Sequence, residues 1–242
     1  MDLTSAIEHV RPAIVQIQLR ELILVPGNIP KSVPIGTGFL ISDEGLIVTA
    51  KHVVDSVAAA LAGGAPGTLG AIIAFAEKNE EKAPGEFQAT FAGIGYEIIA
   101  LSEEHDLALL KTLRPISAMP TTGIVLAPVP AELAVERPLE GELIAISGYP
   151  LSSPSLVTTA GSIGCSWVWD PTVVPVRERY IADVTANFGN SGGPVYRLSD
   201  GKVIGVCVGG RLSPIQNGQG SQVVPLTIVV PSKYVRDLVD GH

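Results

Sequence analysis

The chain has 242 residues, a formal net charge of -8, and 46% hydrophobic against 17% charged residues. That apolar share can fill a sizeable core and excludes disorder over most of the length. The acidic balance, with no Lys/Arg block, argues against nucleic acid or an anionic membrane as a partner.

From the N-terminus, Thr4 to Arg11 reads as a short helical turn ending near Pro12. Met1 to His9 carries neither a basic region nor an unbroken apolar stretch, so no signal peptide is visible and a cytoplasmic location is expected. Ala13 to Leu19 alternates and reads as a strand. Residues 25–34, with three prolines, form a loop. Ile35 to Ser42 and Leu46 to Thr49 are strands flanking the turn Asp43-Glu44-Gly45, and the second runs straight into His52. Ser56 to Ala76 has no charge and the length to cross a bilayer, but Gly63-Gly64-Ala65-Pro66-Gly67 breaks it. We read it as a surface loop or short helix, and residues 58–85 as an insertion. Phe87 to Phe91, Glu97 to Leu101 and Leu107 to Thr112 bring the first set to six strands, enough for one barrel.

Arg114 to Pro138 holds five prolines and little alternation, so it reads as a connection. The expected division is therefore 1–113, a connection over 114–138, and 139–242. The second part contains strand patterns at 142–147, 156–163, 173–176, 179–182, 194–198, 203–208 and 223–230. A short helix closes it, with Ser232 as the expected N-cap and Val235, Leu238 and Val239 on one face. Of the two cysteines, Cys165 and Cys207, the latter lies in an apolar run and reads as a buried thiol.

The chemistry centres on Gly189-Asn190-Ser191-Gly192-Gly193-Pro194. A serine hydroxyl needs a base within hydrogen-bond reach, and that base needs a carboxylate to fix its tautomer. Of four histidines, His9 and His242 sit in the terminal segments and His105 leaves a polar turn. His52, between an apolar strand and Val53-Val54, is the expected base. Asp106 meets the apolar run Leu107-Ala108-Leu109-Leu110 directly, which favours it over Glu103 and Glu104 as the orienting carboxylate. Glycines around Ser191 let backbone N–H groups turn toward one point, where an oxyanion would develop. An α/β-hydrolase needs the order Ser, Asp, His and a helix after the serine. Only His242 follows Ser191, and Gly192-Gly193-Pro194 starts a helix poorly.

Gly36-Thr37-Gly38-Phe39-Leu40-Ile41, Thr49-Ala50-Lys51-His52-Val53-Val54, Asp106 to Lys111 and Gly189 to Pro194 together resemble the trypsin-like serine proteases, closest to HtrA-type bacterial members. The resemblance covers nearly the whole chain. It implies an all-β fold of two perpendicular six-stranded barrels with a short C-terminal helix. His52 and Asp106 would come from the first barrel and Ser191 from the second. It implies an oxyanion hole from the N–H groups of Gly189 and Ser191, and a substrate pocket with Thr185 near its base and Val208, Gly209 and Gly210 along its wall. Arg211 would sit at the rim. No carboxylate is expected in the pocket, so neutral residues are the expected preference. Protein or peptide substrates are implied, with no metal or organic cofactor.

Four departures qualify the resemblance. Asn190 replaces the aspartate that pairs with a freshly cut N-terminus in digestive members, so no zymogen cleavage is expected. Phe188 replaces a common proline, and Val208 stands where many members have a hydroxyl residue supporting the aspartate. The PDZ domain usual in HtrA proteins is not seen in this sequence. Two readings stay open: an active endopeptidase, or a latent or inactive binding module whose oxyanion loop orders only on an activating protein partner.

Overall fold

The structure, a computed structural model, describes residues 1–22, 31–64, 69–83, 86–116, 128–169, 178–214 and 221–242. Helix α1 (Leu3–Val10) starts at Asp2, whose carboxylate accepts the Ser5 N–H at 2.8 Å, and buries Ala6 and Val10. A 3-10 turn through Pro12 then delivers the chain into β1 (Ile14–Glu21).

β1 lies between β2 (Ser32–Leu40) and β4 (Leu69–Ala83), antiparallel to both. β3 (Leu46–Ala50), α2 (Lys51–Gly63), β5 (Glu86–Ile94), β6 (Tyr96–Ser102) and β7 (Leu107–Thr112) complete the first half. Its strand order is β5-β4-β1-β2-β3-β7-β6. Phe39, Leu40, Ile47, Val48, Leu107 and Leu110 are fully buried within it.

The second half contains β8 (Leu143–Gly148), β9 (Val157–Trp169), β10 (Glu178–Asp183), β11 (Pro194–Arg197), β12 (Val203–Pro214) and β13 (Ser221–Pro231). They close as the barrel β10-β13-β12-β11-β8-β9. Ile144, Ile146, Ile163, Val195, Ile204 and Cys207 fill its interior. Burial pushes the Cys207 thiol up to about 12, as expected for a thiol in an apolar core. Helix α3 (Ser232–Asp240) packs after β13 and buries Val235.

The all-β fold with its C-terminal helix follows the sequence reading, with three differences in detail. The first half has seven strands and forms a half-barrel sheet whose hydrogen-bonded ladder runs from β5 to β6 without closing. The segment 58–85, expected as an inserted loop or short helix, also holds a sheet strand: α2 runs to Gly63, and β4 pairs with β1 from Val15 to Glu21. Ile73, Ala74 and Phe75 of β4 are core residues. Gln16 and Gln18 of β1 are buried. Gln18 donates to the Gln16 side chain, which donates in turn to Ser153 O at 3.3 Å, after β8. Finally, Ser232 does not cap α3; its hydroxyl donates to Ala134 O at 2.8 Å.

The connection is stitched to both halves. The Ala131 N–H donates to Leu40 O (2.9 Å), and Ala134 N–H to Val203 O (2.8 Å). The expected strand at 173–176 lies outside the described residues. Among the described residues no helix is long and apolar enough to cross a membrane.

Candidate active site

His52 stands in the first turn of α2, directly after β3. The N-cap, Ala50, has no side chain to satisfy the helix's first amides. Asp106, from the turn between β6 and β7, takes that place. Its Oδ1 accepts the His52 backbone N–H at 2.9 Å, and its Oδ2 meets His52 Nδ1 at 2.7 Å. Its own carbonyl accepts the Lys51 N–H at 3.1 Å. The carboxylate thus gains from the helix dipole while it orients the imidazole. Asp106 adopts φ 58°, a left-handed conformation that aspartate tolerates better than most residues. Val208 supplies no hydroxyl to this carboxylate, and the α2 amide takes over that support. The side chains of His52 and Asp106 are 43% and 31% exposed, so the pair is reachable from solvent.

The loop from Phe188 to Gly192 has a regular hydrogen-bond pattern. Four consecutive carbonyls are held: Phe188 O by Leu151 N–H (2.6 Å), Gly189 O by Thr37 Oγ1 (2.6 Å), Asn190 O by Gly193 N–H (2.9 Å) and Ser191 O by Thr37 N–H (3.0 Å). Two amides are also held, Asn190 N–H on Asn187 O (3.0 Å) and Gly192 N–H on Cys207 O (2.7 Å). The amides of Gly189 and Ser191 make no hydrogen bond among the described residues. In a trans peptide the N–H points opposite to the C=O. With Phe188 O and Asn190 O both committed to the protein, those two N–H groups are turned away from these partners. Gly189 needs to be glycine here: its φ is +98°, and a Cβ would lie 2.2 Å from Tyr149 O.

Gly189 and Ser191 share one cleft of about 360 Å³ with His52. No hydrogen bond joins Ser191 to His52 among the described residues; such contacts are commonly long in unliganded sites and tighten on substrate. Ile35, Val53, Ala186, Val208, Gly209 and Gly210 supply most of the remaining wall, and among the described residues no acidic side chain lines it.

A family model described as a trypsin-like peptidase domain matches residues 36–206, the greater part of the chain, with His52, Asp106 and Ser191 inside the match. The chain belongs to the trypsin-like peptidase family. Over 208 residues it is 31% identical to serine protease HTRA1A of Danio rerio, covering 84% of this chain and 36% of that protein. It is likewise 31% identical over 210 residues to serine protease HTRA3 of Homo sapiens, covering 84% and 39%. The chain therefore spans little more than a third of the length of these relatives. Among solved structures, Deg5 matches with a TM-score of 0.64 at 21% identity, covering 98% of this chain and 91% of that one. The Rv3671c protease, in an inactive form, matches at 0.61 and 18%, covering 98% and 92%. These two likenesses are of fold.

The remaining expected residues divide. Val208, Gly209 and Gly210 line the cleft of this trypsin-like domain, but Thr185 does not; it is exposed, and the neighbouring Ala186 takes its place in the wall. The Arg211 side chain lies outside the described residues. Ile35, Ser56 and Asn187 also line the cleft and escaped the sequence reading, because nothing local marks a strand or helix residue that fronts a cavity. His105, the rival base, stacks on Tyr234 of α3 with ring centroids 3.7 Å apart. Asn190 is only 4% exposed, and its Oδ1 is buried without a hydrogen bond among the described residues. Among the described residues no group of His, Cys, Asp or Glu side chains could hold a metal ion.

Proposed function

We propose that the chain is a serine endopeptidase working through Ser191, His52 and Asp106. The observation that carries this reading is the pairing of the 2.7 Å Asp106–His52 contact with two amides, Gly189 and Ser191, that have no hydrogen-bond partner among the described residues, at one cleft. His52 Nε2 takes the Ser191 hydroxyl proton as Oγ adds to the substrate carbonyl carbon. The carbonyl oxygen becomes an oxyanion held by the Gly189 and Ser191 N–H groups. Asp106 stabilises the charged imidazole that results. Collapse breaks the C–N bond, and His52 returns the proton to the leaving amine. Water then repeats the sequence on the acyl-enzyme and releases the acid.

Asn190 supports a site that needs no N-terminal cleavage. Its side chain is neutral, whereas an aspartate at so buried a position would require a charged partner. The four held carbonyls favour a loop already set for turnover over one awaiting a protein partner. Ser191→Ala tests the reading: peptide hydrolysis should fall by at least about a thousandfold, with the melting temperature little changed. Undiminished hydrolysis removes Ser191 from the mechanism. A folded wild type with no hydrolysis of any peptide returns the latent binding module.

A further inference from the structure

We propose that Thr37 is a positioning residue that sets the oxyanion loop from the opposite half of the molecule; this rests on the peptidase reading above. Thr37 belongs to β2 and is fully buried. Its three polar groups make four hydrogen bonds, three of them with the second half. Its hydroxyl donates to Gly189 O at 2.6 Å and accepts the Tyr149 N–H at 3.0 Å. Its backbone N–H donates to Ser191 O at 3.0 Å. Its carbonyl accepts the Thr49 hydroxyl at 2.7 Å, three residues before His52.

One residue thereby grips the carbonyls on either side of Asn190. Fixing Gly189 O fixes the plane of the Gly189–Asn190 peptide, and fixing Ser191 O does the same for the next but one. The two amides assigned to the oxyanion lie in the peptides adjoining these. A hydroxyl suits the position because it is donor and acceptor at once. The hydroxyl is closely packed: a Cβ on Gly148 would lie 2.9 Å from Thr37 Oγ1 and 2.8 Å from Asn190 Oδ1. Tying the brace to Thr49 also couples the nucleophile's loop to the strand that delivers the base.

Thr37→Val keeps the shape and removes the hydroxyl, and Thr37→Ser keeps the hydroxyl. Deleting a whole oxyanion donor costs about 100- to 1000-fold in kcat. Misaligning one through Thr37→Val should cost at least about tenfold in kcat, with KM within about twofold. Thr37→Ser should retain at least about a third of wild-type kcat. Equal damage from both variants, or an unchanged kcat in Thr37→Val, overturns the proposal. Amide hydrogen exchange gives a second readout that needs no turnover. Asn190, Gly192 and Gly193 should lose protection in Thr37→Val and keep it in Thr37→Ser, with the rest of the barrel unchanged. Should the wild type neither hydrolyse peptide nor react with a fluorophosphonate, the peptidase reading fails and exchange alone decides on Thr37. Loosening confined to the valine variant then supports the brace, and unchanged protection overturns it. If Thr37→Val does not fold, Thr37→Ala carries the same comparison.

Discussion

At His52 one carboxylate serves both ring and main chain, Asp106 Oδ2 at Nδ1 and Oδ1 at the backbone N–H. In the proposed mechanism, losing the imidazole removes the base and leaves the aspartate still bound to the helix start. His52→Ala should abolish hydrolysis without unfolding the protein. His105→Ala should keep most of the activity, because that ring stacks on Tyr234 and does not line the cleft. Steady-state kinetics of the two variants check this, and the reverse order of damage would mean that His105 is the base. These residues were legible because each stands in a short run with its own local logic: a strand end before His52, a polar turn before Asp106, glycines around Ser191. Thr185 was misjudged for the opposite reason. Which of two neighbouring backbone residues fronts a cavity depends on how a loop sits, and spacing carries no trace of that.

Strand β10 and helix α3 meet at Glu178, which bonds to Lys233 and Arg137 and accepts the Tyr234 hydroxyl at 3.3 Å. Burial works to raise the Glu178 carboxyl, but the Lys233 hydrogen bond and charge, the Arg137 charge and the Tyr234 hydroxyl outweigh it and hold it below its ordinary value of 4.5. A lowered folded value means stability that is complete above the ordinary value and lost as the pH falls below it. The melting-temperature gap between wild type and Glu178→Gln should therefore be wider at pH 6 than at pH 3.5. A gap that does not change with pH would show that the cluster contributes nothing through this carboxylate. The strands themselves were largely readable from alternation and turns. β4 was missed because its uncharged Ala/Gly-rich opening lacks alternation, and its identity comes from pairing with β1. Burial of the β1 glutamines was not readable, because the Ser153 segment that Gln16 bonds to is remote in sequence.

Across the whole molecule, the first half supplies His52 and Asp106 and the second supplies Ser191 and its loop, so function depends on how the halves are joined. The bonds from Thr37 to Gly189, Tyr149 and Ser191, and from the connection to Leu40 and Val203, make that joint. The order of motifs carried the fold; the cross-bracing was not readable, because its partners lie as far apart as Thr37 and Ser191. The cleft walls of Ile35, Val53, Ala186 and Val208, with no acidic side chain, should favour neutral residues before the scissile bond. A peptide library cut mainly after Arg or Lys would contradict that.

The most direct measurement is intact-mass analysis of the purified protein after treatment with a fluorophosphonate, with Ser191→Ala alongside. An acyl-transfer site with its base and oxyanion donors already in place should give a single adduct on the wild type, mapped to Ser191, and none on the variant. A folded wild type that stays unmodified, or an adduct that persists in Ser191→Ala, would contradict the account.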